Sequence, residues 1–163
     1  MLRWFRKKPK QVEKQAQDIY VHCLDMAKNQ FQERFQTPSR TEADRWHRFE
    51  GIAIPVCVAL WRLKQNQSLD LAQAVHDAMF RDFELALREG GVADLKVGKH
   101  VRQLASAFHG RLQSYGAALD ADKSADLSAA LVRNQACAPE EAKAAAKWMI
   151  TLAKNGQFPH ISH

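Results

Sequence analysis

The side chains able to do chemistry in this 163-residue chain are few and scattered. Cys23 follows His22, and a cysteine beside a histidine could make a nucleophile. Adjacent residues on a helix point in different directions, so this pair cannot meet. His100 and His109 lie nine positions apart on one expected helix. At 3.6 residues per turn they fall on roughly opposite faces and make no ligand pair. His160-Ile161-Ser162-His163 could catch a metal, but a polar run of this kind reads better as a frayed tail. No P-loop, nucleophile elbow or zinc spacing occurs. Gly90-Gly91-Val92-Ala93-Asp94 lacks the preceding strand that a dinucleotide-cradling loop needs. The chain therefore reads as a non-enzyme, with no metal or cofactor expected.

Charge is the second chemical resource. The net charge is +6, and residues 1–14 hold six cations against one anion, Glu13. The remainder is almost balanced, so the body is not a general nucleic-acid binder and no specific DNA contact is expected. In the N-terminal stretch Arg3, Arg6, Lys7 and Lys8 alternate with Trp4 and Phe5. Aromatic rings favour the membrane–water interface, and each cation near an anionic leaflet adds about 1 kcal/mol. These six residues are candidates for membrane or ribosome contact, against the plainer reading of a solvated start. A second polar group, Arg88, Asp94, Lys96, Lys99 and Arg102, crowds around Gly90, Gly91 and Gly98. With Arg111 it forms a candidate partner-binding surface.

The elements that position these residues are helical. Ala, Leu, Gln, Lys and Arg are plentiful, while there are 7 Gly and 5 Pro, which favours helices. The spacing of Val12, Ala16, Ile19, Tyr20, Cys23, Ala27, Phe31 and Phe35 predicts a helix over 11–36, stopped by Thr37-Pro38. A second helix is expected over 42–64, capped by Ser39 with Glu42 or by Thr41. It carries Trp46, Phe49, Ile52, Val56, Leu60 and Leu63 inside and is apolar almost all round near Pro55. It should be the central helix, kinked or split at that proline.

Further helices are expected over 69–88, 95–119, 125–134 and 140–154, with Ser68 as a cap and Gly90-Gly91 as a stop. The third and fourth should pack as a hairpin. Gly110 would let a neighbouring helix approach, and Gly98 would do the same or mark a tight turn. Arg48 and Glu50 flank Phe49, and Arg111 and Asn134 sit beside apolar faces. They could form surface ion pairs and caps, a buried polar anchor that fixes how helices cross, or a partner contact. Cys23, Cys57 and Cys137 read as small core residues in a reducing compartment. The expected architecture is all-α: one compact bundle of about six helices over 11–155, a basic aromatic tail over 1–10 and a tail over 156–163. No stretch is long and apolar enough to span a membrane, which predicts a cytoplasmic protein with at most peripheral membrane contact.

Several short motifs carry a resemblance. They are Arg48-Phe49-Glu50, Leu60-Trp61-Arg62-Leu63, Asp77-Ala78-Met79-Phe80-Arg81-Asp82 and Leu87-Arg88-Glu89. Gly91-Val92-Ala93-Asp94-Leu95, Val97-Gly98-Lys99, Ala107-Phe108-His109-Gly110-Arg111, Tyr115 and Arg133-Asn134 follow in order. Over about residues 45–135 the chain resembles the ubiquinol–cytochrome c chaperone family, in a bacterial form. The resemblance implies a helical, non-enzymatic chaperone that holds newly made cytochrome b during assembly of the respiratory ubiquinol–cytochrome c reductase. It also implies work at the cytoplasmic face of the inner membrane, with the ribosome as a further contact. The rival from another class is a ribosome- or RNA-binding adaptor using the same basic residues.

Overall fold

The helix α2, Glu42–Gln65, is the axis of the molecule. Every residue from Phe49 to Leu60 is buried in this computed structural model, which describes residues 9–163. An apolar helix without a polar face must be covered on all sides. It is covered by α1 (Lys10–Gln30), α3 (Leu69–Glu89), α4 (Asp94–Asp120) and α6 (Pro139–Asn155), while α5 (Ser124–Arg133) packs between α4 and α6. Each large aliphatic side chain buried there contributes about 1.5–3 kcal/mol. The bundle of six α-helices expected from periodicity is present. The Cys23, Cys57 and Cys137 thiols are free and buried, and burial pushes all three above their ordinary pKa.

Pro55 does not split α2, which runs unbroken from Glu42 to Gln65. The continuous helix lends no support to a kink there. The start of α2 is capped by Thr41 rather than Ser39: the Thr41 Oγ1 accepts from the Asp44 N–H at 3.0 Å. The Asp44 carboxylate in turn accepts from the Thr41 N–H at 2.9 Å. These backbone bonds hold the Asp44 carboxyl below its usual range.

The first helix is shorter than its periodicity suggests. It stops at Gln30, and Gln32–Phe35 form a short 3-10 turn. The cause is tertiary. Arg34 turns inward and donates to the Ala136 carbonyl at 2.6 Å and the His47 carbonyl at 3.2 Å. Arg48 donates to the Thr37 carbonyl at 2.6 Å. Those bonds pull residues 31–37 off the helical path.

The four helices α2 to α5 end alike. In α3 the Val92 N–H donates to the Leu87 carbonyl and the Gly91 N–H to the Arg88 carbonyl, with Gly91 at φ 80°. This is the Schellman arrangement. In the other three the left-handed position is held by Gln67, Asp122 and Gln135, at about 1–2 kcal/mol each relative to a right-handed residue.

Residues 156–163 are not frayed. Phe158 and Ile161 are buried and face each other in an isolated bridge. The buried Arg62 donates to the carbonyls of Gly156 and Ser162 and contacts the His163 ring nitrogen. His160 lies 2.9 Å from Asp18, and His22 lies 2.8 Å from the Gln157 carbonyl. Arg62 sits 5.4 Å from the Phe158 ring centroid. A chelating pair in this run is thus replaced by a strap lying over α1 and α2. At Gly156 a side chain would collide with the Leu152 carbonyl oxygen, so only glycine fits where the strap leaves α6.

Two buried tyrosines test the packing logic. The Tyr20 hydroxyl donates to Asp82 at 2.6 Å, joining α1 to α3. The Tyr115 hydroxyl is buried without a hydrogen bond of acceptable geometry, although Asn134 lies nearby. A hydrogen bond to a charged group is worth about 1.5–3 kcal/mol, whereas an unsatisfied buried hydroxyl adds nothing. Tyr20→Phe should therefore lower unfolding free energy by about 1–3 kcal/mol, and Tyr115→Phe should leave it unchanged or raise it. Urea melts of both variants check this; equal losses would contradict it.

Candidate functional site

Glu50 and Arg111 meet in the interior, where α2 crosses α4. The pair is bidentate: Arg111 Nε donates to Glu50 Oε2 at 2.8 Å, and a terminal nitrogen donates to Oε1. Only 7% of the Glu50 side chain and 12% of the Arg111 side chain are exposed. Arg111 also donates to the carbonyls of Ala107 at 2.9 Å and Asn134 at 3.0 Å. Asn134 is the residue that ends α5, so the guanidinium joins three helices and sits where a helix terminus favours a cation. The Phe49 ring lies 5.5 Å from Arg111. Burial pushes the Glu50 carboxyl upward, and the Arg111 guanidinium opposes that shift. Of the roles open to Glu50 and Arg111 from sequence, the buried anchor is the one present. Arg111 therefore stands apart from the other proposed partner-binding residues, because its charge faces inward.

Arg88, Asp94, Lys96, Lys99 and Arg102 come together at the α3–α4 corner. Arg88 bridges Glu84 at 2.9 Å and Asp94 at 2.6 Å, which closes the turn. The Asp94 side chain is 85% exposed. Lys96, Lys99 and Arg102 are exposed near the start of α4 beside Leu95, which is 98% exposed. Arg3, Trp4, Phe5, Arg6, Lys7 and Lys8 lie outside the described residues.

Two grooves flank the central helix. One of about 530 Å³ lies among the end of α1, the start of α2 and the end of α3, lined by Leu24, Phe35, Phe49, Phe83 and Leu87 with Arg48 and Asp82. The other, of about 890 Å³, runs between α3 and α4 over the end of α2. Its lining includes Leu60, Trp61, Leu69 and Leu112, with the small residues Ala72, Gly110, Gly116 and Ala117. Trp61 Nε1 donates to Asp120 at 2.8 Å and closes one end. Gly110 was expected to admit a neighbouring helix of the same chain. A side chain there would meet nothing within 4 Å, so its hydrogen keeps the groove wide instead.

The same groove holds a pair not apparent from motifs. His76 and His109 meet across the hairpin, with Nε2 atoms 3.2 Å apart. Their positions are nearly equidistant from the turn at Gly91-Val92, which is the signal that would have found them in an antiparallel hairpin.

With this geometry in hand, the comparisons with known proteins are specific. The sequence model described as ubiquinol-cytochrome C chaperone matches residues 46–155. The chain belongs to that family. The match runs past the motifs to the last turn of α6, and it includes Glu50, Arg111, Asn134 and both histidines. The fold is also similar to the crystal structure of the Cbp3 homolog from Brucella abortus, at 26% identity and a TM-score of 0.65. That similarity covers 94% of this chain and 90% of the other, so it takes in α1, which precedes the family match. Among curated proteins none matches. Membership supports a chaperone role. Among the described residues no helix is long and apolar enough to cross a membrane.

Several motif residues are thereby explained as architecture. Glu50, Arg111 and Asn134 form the buried node, Arg62 holds the strap and Asp82 accepts from Tyr20. Breaking a buried pair from one side leaves an uncompensated charge and costs about 3–5 kcal/mol, whereas apolar replacement of both partners is often neutral. Glu50→Ala and Arg111→Ala should each lose about that much in urea unfolding, with the double variant Glu50→Leu/Arg111→Met recovering most of it. Single losses below about 1 kcal/mol would show that the pair behaves as a surface bridge.

Proposed function

We propose that this protein is a non-enzymatic assembly chaperone that binds newly made cytochrome b and supports assembly of the ubiquinol–cytochrome c reductase. The observation that carries the proposal is the family match over residues 46–155, joined to a large apolar groove on the same helices. An amphipathic or apolar helix lies in such a groove through its apolar face. The small residues Ala72, Gly110, Gly116 and Ala117 let a helix backbone come close, as small residues do where helices pack in membranes. Cytochrome b segments, being apolar, suit this surface.

The corner formed by Arg88, Asp94, Lys96, Lys99 and Arg102 would read polar parts of the client beside the groove. Arg3, Trp4, Phe5, Arg6, Lys7 and Lys8 would bring the protein to anionic lipid, or to the ribosome, at the cytoplasmic face of the inner membrane.

Deleting the gene should lower the level of cytochrome b and the activity of the reductase; unchanged levels of both would contradict the proposal. The membrane contact is tested separately. Removing residues 1–10 should weaken binding to anionic liposomes at low salt several-fold, with the contrast fading at high salt. Equal binding by the shortened protein would remove that part of the reading. Salt-dependent RNA binding without client capture would favour the adaptor instead.

A further inference from the structure

We propose that His76 and His109 form a two-histidine site for a divalent transition-metal ion of the zinc, nickel or copper class, linking α3 to α4 at the edge of the groove. The first support is distance. Two nitrogens bound to one tetrahedral ion at about 2.05 Å stand about 3.3 Å apart, and the two Nε2 atoms here are 3.2 Å apart. The ring planes are nearly parallel, 10° apart, with centroids 5.3 Å apart. The two nitrogens therefore point almost head-on, sharing one proton in an N–H···N contact. An ion taking that proton's place lies on the line of the His76 lone pair, and the His109 nitrogen must swing about 35° off that line to bind it. His109 is exposed and has room to do so.

The second support is the setting of His76. Its Nδ1 lies 3.4 Å from the Asp77 carboxylate, the arrangement in which a carboxylate orients a ligating imidazole and leaves the other nitrogen its lone pair. The Phe80 and Phe108 rings lie 4.7 and 5.8 Å from the His76 ring and fix its position. One ligand is thus held and the other is adaptable, each on a different rigid helix. Among the described residues no group of three or more histidine, cysteine or acidic side chains could hold a metal, so water completes the coordination. Imidazole suits zinc, copper and nickel, with copper bound most tightly.

The test is calorimetric titration of untagged full-length protein with Zn²⁺ at pH 7.5, paired with thermal unfolding with and without the ion. One ion per chain should bind, and the melting temperature should rise with zinc because the ion ties two helices of the folded state. His109→Gln, a change at an exposed position, and His76→Gln should each weaken binding at least about ten-fold and abolish the thermal shift. The control His160→Gln/His163→Gln should bind as the parent does. Lowering the pH to 5.5 should weaken binding, since protons compete for imidazole. Absence of saturable binding, or unchanged affinity in His109→Gln, would overturn the proposal.

Discussion

A carboxylate and a guanidinium buried where α2 crosses α4 set the terms for the rest of this structure. Taking both charges out of water costs several kcal/mol per ion, and only close geometry with further hydrogen bonds offsets it. Here the geometry is bidentate, and the remaining guanidinium donors reach the Ala107 and Asn134 carbonyls. The pair cannot tolerate a slip of α4 along α2, because a slip of one turn would strand both charges in the core. It also holds the end of α5. A second arginine, Arg34, reaches the Ala136 carbonyl just beyond that end, so two cations from different elements meet the same helix terminus. Apolar packing of α2 alone does not single out one register, whereas the bidentate geometry of the pair is met only in this one.

The groove between α3 and α4 depends on that choice. One of its walls is α4, and the face of α4 turned to it carries His109, Gly110, Gln113, Gly116 and Ala117. Phe108 and Arg111, which bracket His109 and Gly110 in sequence, face inward. A family motif such as Ala107-Phe108-His109-Gly110-Arg111 thus serves two purposes in one helical turn. Phe108 and Arg111 anchor the helix, while His109 and Gly110 shape the open surface. The corner at Gly91 continues the same hairpin, and there the charges are local rather than part of a basic body, as the near balance of residues 15–163 requires.

Much of this architecture is legible in the amino-acid order. Helical spacing and turn residues located five of the six helices to within a residue at each end, and the all-round apolar run from Ile52 to Leu60 marked the buried axis. What periodicity could not foresee was the outcome of tertiary competition. Phe31 and Phe35 keep helical spacing, yet Arg34 and Arg48 draw that segment out of α1 by bonding to carbonyls far away in sequence. The segment 156–163 has the polarity of a loose tail, yet the buried Arg62 needs carbonyl partners and finds them there. Gly110 looks like a packing glycine in sequence because nothing local distinguishes a helix face against a neighbour from one lining a groove. Glu50 and Arg111 were visible as polar residues beside apolar faces, but their pairing lies sixty-one positions apart and follows only from how α2 and α4 cross. His76 went unnoticed because its partner lies on the other arm of the hairpin.

We propose that the client lies in the α3–α4 groove, which Glu50 and Arg111 hold in register. The most direct measurement places a photo-crosslinking side chain at Gln113, inside the groove, and in a separate variant at Gln17, on the exposed face of α1. Irradiation in cells making cytochrome b should yield a cytochrome b adduct from position 113 and none from position 17. Adducts of equal yield from both, or from position 17 alone, would contradict the claim.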